Sequence, residues 1–201
     1  MRRNHPDIPF ERYADGAICH CRSGDQARAL RASLEKRFAE CRLRLHPEKT
    51  KIVYCKDDDR RGDYPNQKFD FLGYTFRPRL SRRWRGTSGA SFSPAASDKA
   101  LKTIRQTVRS WTLHERGDES LDVFARMFNG HIRGWINYYG RYYKSALYPI
   151  LRHIDRIPAR WAHRKFKSLR HHRRQTAHWI ARVARRQPSL FAHWALLQGR
   201  G

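Results

Sequence analysis

Acidic side chains are scarce in this chain. Its 201 residues hold 18 Asp and Glu against 43 Lys and Arg, which leaves a formal charge of +25 at neutral pH. Long apolar runs are missing as well. No stretch of about 18 consecutive apolar residues exists, which excludes a helical membrane span. The start, Met1-Arg2-Arg3-Asn4-His5-Pro6-Asp7, has no apolar segment behind its charges, so it does not read as a secretory signal. Cysteine is limited to Cys19, Cys21, Cys41 and Cys55, too few for a disulfide-built scaffold. With no secretory signal beside them, these thiols point to a reducing, cytoplasmic setting. What is present argues for folding: 39% apolar and 12% aromatic residues exceed what a disordered polycation carries. The length suits one domain or two small ones.

A folded chain this basic repels itself unless an anionic partner neutralises it. Nucleic acid is the usual partner, because each neutralised phosphate releases condensed counterions. An acidic membrane surface is the competing reading, but no one-sided basic amphipathic terminus supports it. The charge is unevenly spread. Residues 1–75 hold 16 basic and 12 acidic side chains, a net of +4, whereas residues 76–201 hold 27 and 6, a net of +21. All six tryptophans, at 84, 111, 135, 161, 179 and 194, fall in the second part. The first part reads as an ordinary globular piece and the second as a basic, aromatic-rich module for gripping nucleic acid.

Local patterns separate the two parts further. Short apolar runs flank Ala14-Asp15-Gly16, so the spacing predicts a hairpin with Gly16 taking up positive φ. Ala29, Leu30, Leu34 and Phe38 recur at helical spacing within Asp25–Cys41. Lys51–Cys55 reads as a strand, Asp57–Asp63 as a polar loop, and Phe69–Phe76 as a strand or hairpin. From Ser97 the period becomes that of helices. Ser97 is placed to cap a helix with Leu101, Ile104, Val108 and Trp111 on one face. Leu121, Phe124, Phe128, Ile132, Trp135 and Tyr139 mark a second, with Asn129-Gly130 expected to loosen it. A third opens near Leu147-Tyr148-Pro149, carries Ile150, Leu151, Ile154 and Trp161, and is expected to kink or end at Pro158. A fourth spans Gln175–Arg186 with Ala177, Ile180 and Ala184 inward, and Pro188 stops it. The expected class is α+β: short antiparallel strands with one helix over residues 1–76, a basic linker over 77–96, and an all-α domain over 97–201.

Several motifs then resemble one family. Phe10-Glu11-Arg12-Tyr13-Ala14-Asp15-Gly16 is similar to the Tyr-Ala-Asp-Asp hairpin of group II intron reverse transcriptases, with Gly16 in place of the second Asp. Leu45-His46-Pro47-Glu48-Lys49-Thr50-Lys51 resembles their next palm motif. Phe69-Asp70-Phe71-Leu72-Gly73-Tyr74 resembles the motif after it, which supports the primer end. Gly134-Trp135-Ile136-Asn137-Tyr138-Tyr139-Gly140 and Phe191-Ala192-His193-Trp194 look like the maturase-specific domain, also called domain X or thumb. The resemblance implies a part of a reverse transcriptase palm followed by a helical maturase domain. It further implies a protein that binds intron RNA, assists splicing and copies RNA into DNA during mobility of the element. Family members carry fingers and an early palm, with the first catalytic Asp, ahead of the first of these motifs. The chain is therefore expected to be a C-terminal part that polymerises only if a complementary reverse transcriptase fragment supplies the rest. A decayed gene product without function is the remaining alternative.

Polymerisation in the family implies two Mg²⁺ ions held by converging carboxylates. Asp15 is the expected metal-binding and catalytic remnant, although an Asp in a hairpin turn is commonplace without metal. Lys49 is the weaker candidate, a donor to the leaving pyrophosphate or simply a solvated lysine. Phe71, Leu72, Gly73 and Tyr74 would form the primer grip, with a DNA primer or target as a possible partner. Arg77, Arg79, Arg82, Arg83 and Arg85 around Trp84, and Lys165, Lys167, Arg170, Arg173 and Arg174 with His171 and His172, are the expected RNA contacts. Trp84 is a stacking candidate, whereas Trp111, Trp135 and Trp161 fall on apolar helical faces and read as core. The cysteine spacing, with Cys19-His20-Cys21 at its start, suits free buried thiols better than zinc.

Overall fold

The structure is a computed structural model that describes residues 5–60, 62–82, 88–112, 117–170 and 172–198. The chain divides into two compact units. One comprises residues 1–54 and 63–67, and the other residues 55–62 and 68–201.

The first unit opens with strands β1 (Phe10–Tyr13) and β2 (Gly16–Cys19), paired antiparallel with Phe10 opposite Cys19 and Tyr13 opposite Gly16. That register leaves Ala14-Asp15 as a two-residue turn. The positive φ falls on Ala14 (51°) and not on Gly16, which is paired in β2. The expectation that Gly16 would supply the left-handed residue is thus corrected. An L-residue there costs roughly 1–2 kcal/mol, and the Arg12 Nε donates to the Ala14 carbonyl at 3.0 Å across the turn. Helix α1 (Gly24–Glu40) follows. The Ser23 hydroxyl accepts from the Gln26 amide, Asp25 lies in the first turn and Arg37 in the last, as the helix dipole favours. Of its apolar stripe only Leu30 is buried, Leu34 and Phe38 are half-buried, and Ala29 is exposed. Residues 51–55, read as a strand, form none. Their register is held by Tyr54 N donating to Asn66 O and Asn66 Nδ2 to Ile52 O, which is too little for a ladder.

The second unit contains a three-stranded antiparallel sheet in the order β3 (Phe69–Phe71), β4 (Tyr74–Arg82), β5 (Ser88–Ala96). The segment read as a basic linker over 77–96 is therefore mostly two long paired strands, running from Tyr74 opposite Ala96 to Arg82 opposite Ser88. Its Arg, Ser, Gly and Pro content disguised the strands. Pro78 is tolerated in β4 because β3 pairs only as far as Phe76, so beyond that point β4 has a single neighbour. Phe69 stacks on Phe76 at 4.8 Å between centroids and faces Phe92 at 6.0 Å, which gives the sheet an apolar face.

Helices complete the unit: α2 (Asp98–Ser110), α3 (Leu121–Tyr139), α4 (Tyr148–Ile154), α5 (Arg156–Lys165), α6 (Arg173–Arg186) and α7 (Trp194–Gln198), with short 3-10 turns at Lys144–Leu147 and Lys167–Leu169. Ser97 caps α2 through the Ala100 amide, and Ser120 caps α3 through Val123. Three further expectations are corrected. Helix α3 continues through Asn129-Gly130, because Asn129 is buried and employed: its Nδ2 donates to Leu190 O at 2.8 Å and its Oδ1 accepts from Ala192 N at 2.9 Å. The third helix breaks at Asp155, not at Pro158, which sits buried in the first turn of α5 where its missing N–H costs nothing. In α6 the inward residue is Thr176, while Ala177 is exposed.

The core of this unit joins Ile104 and Val108 of α2, Phe124, Phe128 and Ile132 of α3, Ile150, Leu151 and Ile154 of α4, Trp161, Ile180, Phe191 and Trp194. Trp161 meets Phe124 edge-on at 5.8 Å, and Trp111 stacks on Phe128 and Trp135 at 4.1 and 5.8 Å. At the α4–α5 break the Asp155 Oδ1 accepts from Trp194 Nε1 and from the fully buried His193 Nε2, both at 2.8 Å. A carboxylate only accepts, so the His193 proton lies on Nε2. Among described residues of the first unit only Ile8 and Leu30 are buried apolar side chains. Amide hydrogen exchange is accordingly expected to be slowest in α3 and α4 and faster, by a factor of ten or more, in β1, β2 and α1. Stronger protection in the first unit would contradict this distribution of the core.

Candidate nucleic-acid interface

Two turns carry the motifs that matter most for the nucleic-acid reading. The first is Ala14-Asp15. Asp15 is exposed at its tip and is followed by Gly16. Among described residues no group of three or more His, Cys, Asp or Glu is gathered so as to hold a metal ion. One exposed carboxylate does not fit a two-Mg²⁺ centre, which needs converging oxygen ligands on both ions. Lys49 is exposed in an irregular turn of the same unit, where the Thr50 amide donates to His46 O at 2.9 Å. Cys19, Cys21 and Cys55 are half-buried free thiols and Cys41 is exposed, so none is fully buried as expected. Burial raises the pKa of the first three.

The second turn is Leu72-Gly73, joining β3 to β4 with Phe71 opposite Tyr74. Both turn residues have positive φ, 49° and 76°, the type I′ geometry that matches strand twist. Its surroundings are built from the end of α3. Tyr138 Oη donates to Leu72 O at 2.8 Å, the Tyr74 hydroxyl donates to Tyr138 O, and Ser97 N donates to Gly73 O at 2.9 Å. The Tyr74 ring lies 5.3, 5.6 and 5.5 Å from those of Tyr138, Tyr139 and Tyr142. Burial and the neighbouring phenols raise the pKa of Tyr74, so it remains a donor. Phe71 and Gly73 are half-buried, Tyr74 is buried, and Leu72 is exposed at the tip.

The expected RNA contacts divide by environment. Arg77 is exposed. Arg79 is half-buried and committed: its guanidinium donates to Thr75 O and Ser93 O and lies 5.4 Å over the Tyr143 ring. Burial, then the neighbouring Arg77, lowers its pKa. Arg82 ends β4, while Arg83, Trp84, Arg85 and His171 lie outside the described residues. Lys165 is also committed, donating to the carbonyls of Asp118 and Glu119 and lying 5.0 Å over the Trp161 ring. Lys167, Arg170, Arg173 and Arg174 are exposed, and Arg170 and Arg173 line one open concavity with His163 and Arg164. Trp111 and Trp135 are partly buried against the core and Trp161 is buried in it, as their helical faces implied.

A second cationic group was missed in the sequence. Arg109 of α2, His153 of α4, and Arg156 and Arg160 of α5 line a single recess. Burial lowers the His153 pKa, and Arg156, Arg109, Arg160 and Arg105 lower it further. The available signal was the i, i+4 spacing of Arg105 with Arg109 and of Arg156 with Arg160, which puts each pair on one helix face.

With this geometry in view, comparison with known families is informative. The family described as "Reverse transcriptase (RNA-dependent DNA polymerase)" matches residues 1–76, and "Group II intron, maturase-specific domain" matches residues 101–183. Searches of curated proteins and of solved structures found no match. The two family matches, in this order on one chain, make it a member of the group II intron reverse transcriptase/maturase family. Its α+β organisation, short antiparallel strands followed by helices, agrees with a portion of a reverse transcriptase palm followed by a helical domain.

Gly73 tests the second turn. A Cβ there would meet Tyr139 Oη at 3.0 Å in a backbone conformation L-residues avoid. Gly73→Ala is expected to lower unfolding stability by about 1–3 kcal/mol in urea titration, whereas Gly130→Ala, with open space around it, should not destabilise. Equal effects would refute the docking of this turn.

Proposed function

We propose that the chain acts as a maturase: its helical part binds structured intron RNA and assists splicing, while the residues present do not by themselves polymerise DNA. In this reading residues 1–76 are palm, 97–201 are the maturase domain, and the paired strands between them connect the two. The observation that carries it is the gathering of Arg170, Arg173, His163 and Arg164 around one concavity in a region of net charge +21. Guanidinium forks match phosphate oxygens, and a surface read by shape and backbone is what folded RNA presents. Loss of polymerisation is supported by Gly16 beside Asp15, which leaves this turn one carboxylate.

Filter binding of the full chain to structured intron RNA is expected to weaken by roughly a thousandfold between about 50 and 200 mM salt, as for a protein neutralising about six phosphates. A flat dependence would overturn the RNA reading. Arg170→Glu with Arg173→Glu should reduce affinity at least about tenfold. Template-directed dNTP incorporation by the chain should not exceed that of Asp15→Asn, and incorporation above that control would refute the loss of polymerisation. A splicing assay with the cognate intron RNA checks the maturase role, and no acceleration by the chain would count against it.

A further inference from the structure

We infer that Arg105, Arg109, Arg156 and Arg160, gathered around His153, form a phosphate-binding recess that receives a backbone phosphodiester of RNA. The RNA source rests on the function proposed above; the affinity for a phosphate group rests on the recess itself.

The cations converge from three elements. Arg105 and Arg109 share a face of α2, Arg156 and Arg160 share a face of α5, and His153 stands on α4, which packs against both helices. Like charges at i, i+4 repel, and two such pairs around one imidazole compound the cost. No carboxylate relieves it: every charge acting on His153 is an arginine. Asp155, two residues away, is already engaged by His193 and Trp194. Among described residues none of the four arginines forms a salt bridge. The walls also include the buried Val108 and the half-buried Ile157, whose apolar surface strengthens attraction for an anion by excluding water. Because α2, α4 and α5 all contribute to the main core, the donors sit on a rigid frame. A tetrahedral oxyanion supplies both the missing negative charge and acceptors for several guanidinium N–H groups at once.

The test uses the full chain and two double variants, Arg109→Glu/Arg160→Glu in the recess and Arg170→Glu/Arg173→Glu in the separate concavity. Two probes are used, structured intron RNA and inorganic pyrophosphate. The recess variant is expected to bind RNA at least tenfold more weakly, with a salt slope shallower by about one to two, since each phosphate contact contributes nearly one to that slope. Pyrophosphate should raise the melting temperature of the wild type and not of the recess variant. Should charge reversal prevent folding, judged by circular dichroism, Arg109→Gln/Arg160→Gln replaces it with the same expectations. Wild-type RNA affinity that falls in the Arg170/Arg173 variant but is unchanged in the recess variant overturns this inference and leaves the proposed function standing. Pyrophosphate stabilisation that depends on Arg109 and Arg160, in a chain with no affinity for RNA, supports the phosphate site while overturning its RNA source and the proposed function together. Absence of both effects overturns the site outright.

Discussion

The second unit depends on how a single turn is seated. Leu72 and Gly73 both give up their carbonyls to groups outside the sheet, Leu72 to the Tyr138 hydroxyl and Gly73 to the Ser97 amide, while Tyr74 returns a hydrogen bond to the Tyr138 carbonyl. Each bond contributes about 0.5–1.5 kcal/mol net, and together they tie the sheet to the C-terminal end of α3 and the N-terminus of α2. Gly73 is required because Tyr139 occupies the space a side chain would take. The reverse transcriptase match extends to Phe76, yet residues 68–76 belong to the same compact unit as the maturase match. The motif that resembles a primer grip is therefore built jointly from both matched regions.

Charge is the second constraint. The helices bury their apolar faces well and leave arginine and lysine outward with few acids to answer them. Some of these cations are absorbed structurally. Arg79 lies on Tyr143 and bonds two strand carbonyls, and Lys165 covers Trp161 while holding the carbonyls just before α3. Others are gathered around concavities, where repulsion is greatest and only an anion relieves it. Counting basic residues along the chain does not separate these two uses; their neighbours do.

Much of the helical part was legible because its signals are local. Ser97 and Ser120 cap helices where an apolar period of 3.6 begins, and the tryptophans on those faces pack inward. Strands were harder. β4 and β5 are rich in Arg, Ser and Pro, and they pair because a neighbour is present, not because their residues favour a strand. Lys51–Cys55 shows the reverse: a run of strand-forming residues without a partner to complete a ladder. Asn129 looked like a helix breaker until the carbonyl of Leu190 and the amide of Ala192, some sixty residues away, gave its side chain both partners.

From the sequence alone came the family, the α+β order of elements, the excess of positive charge and its concentration after residue 75, because each is a property of residue types and their spacing. Tertiary structure decided which cations are committed and which remain available, where the positive-φ positions fall, and that Arg105, Arg109, Arg156 and Arg160 surround one histidine. Those outcomes depend on contacts between segments distant along the chain, and such contacts leave no periodic trace in the order of the amino acids.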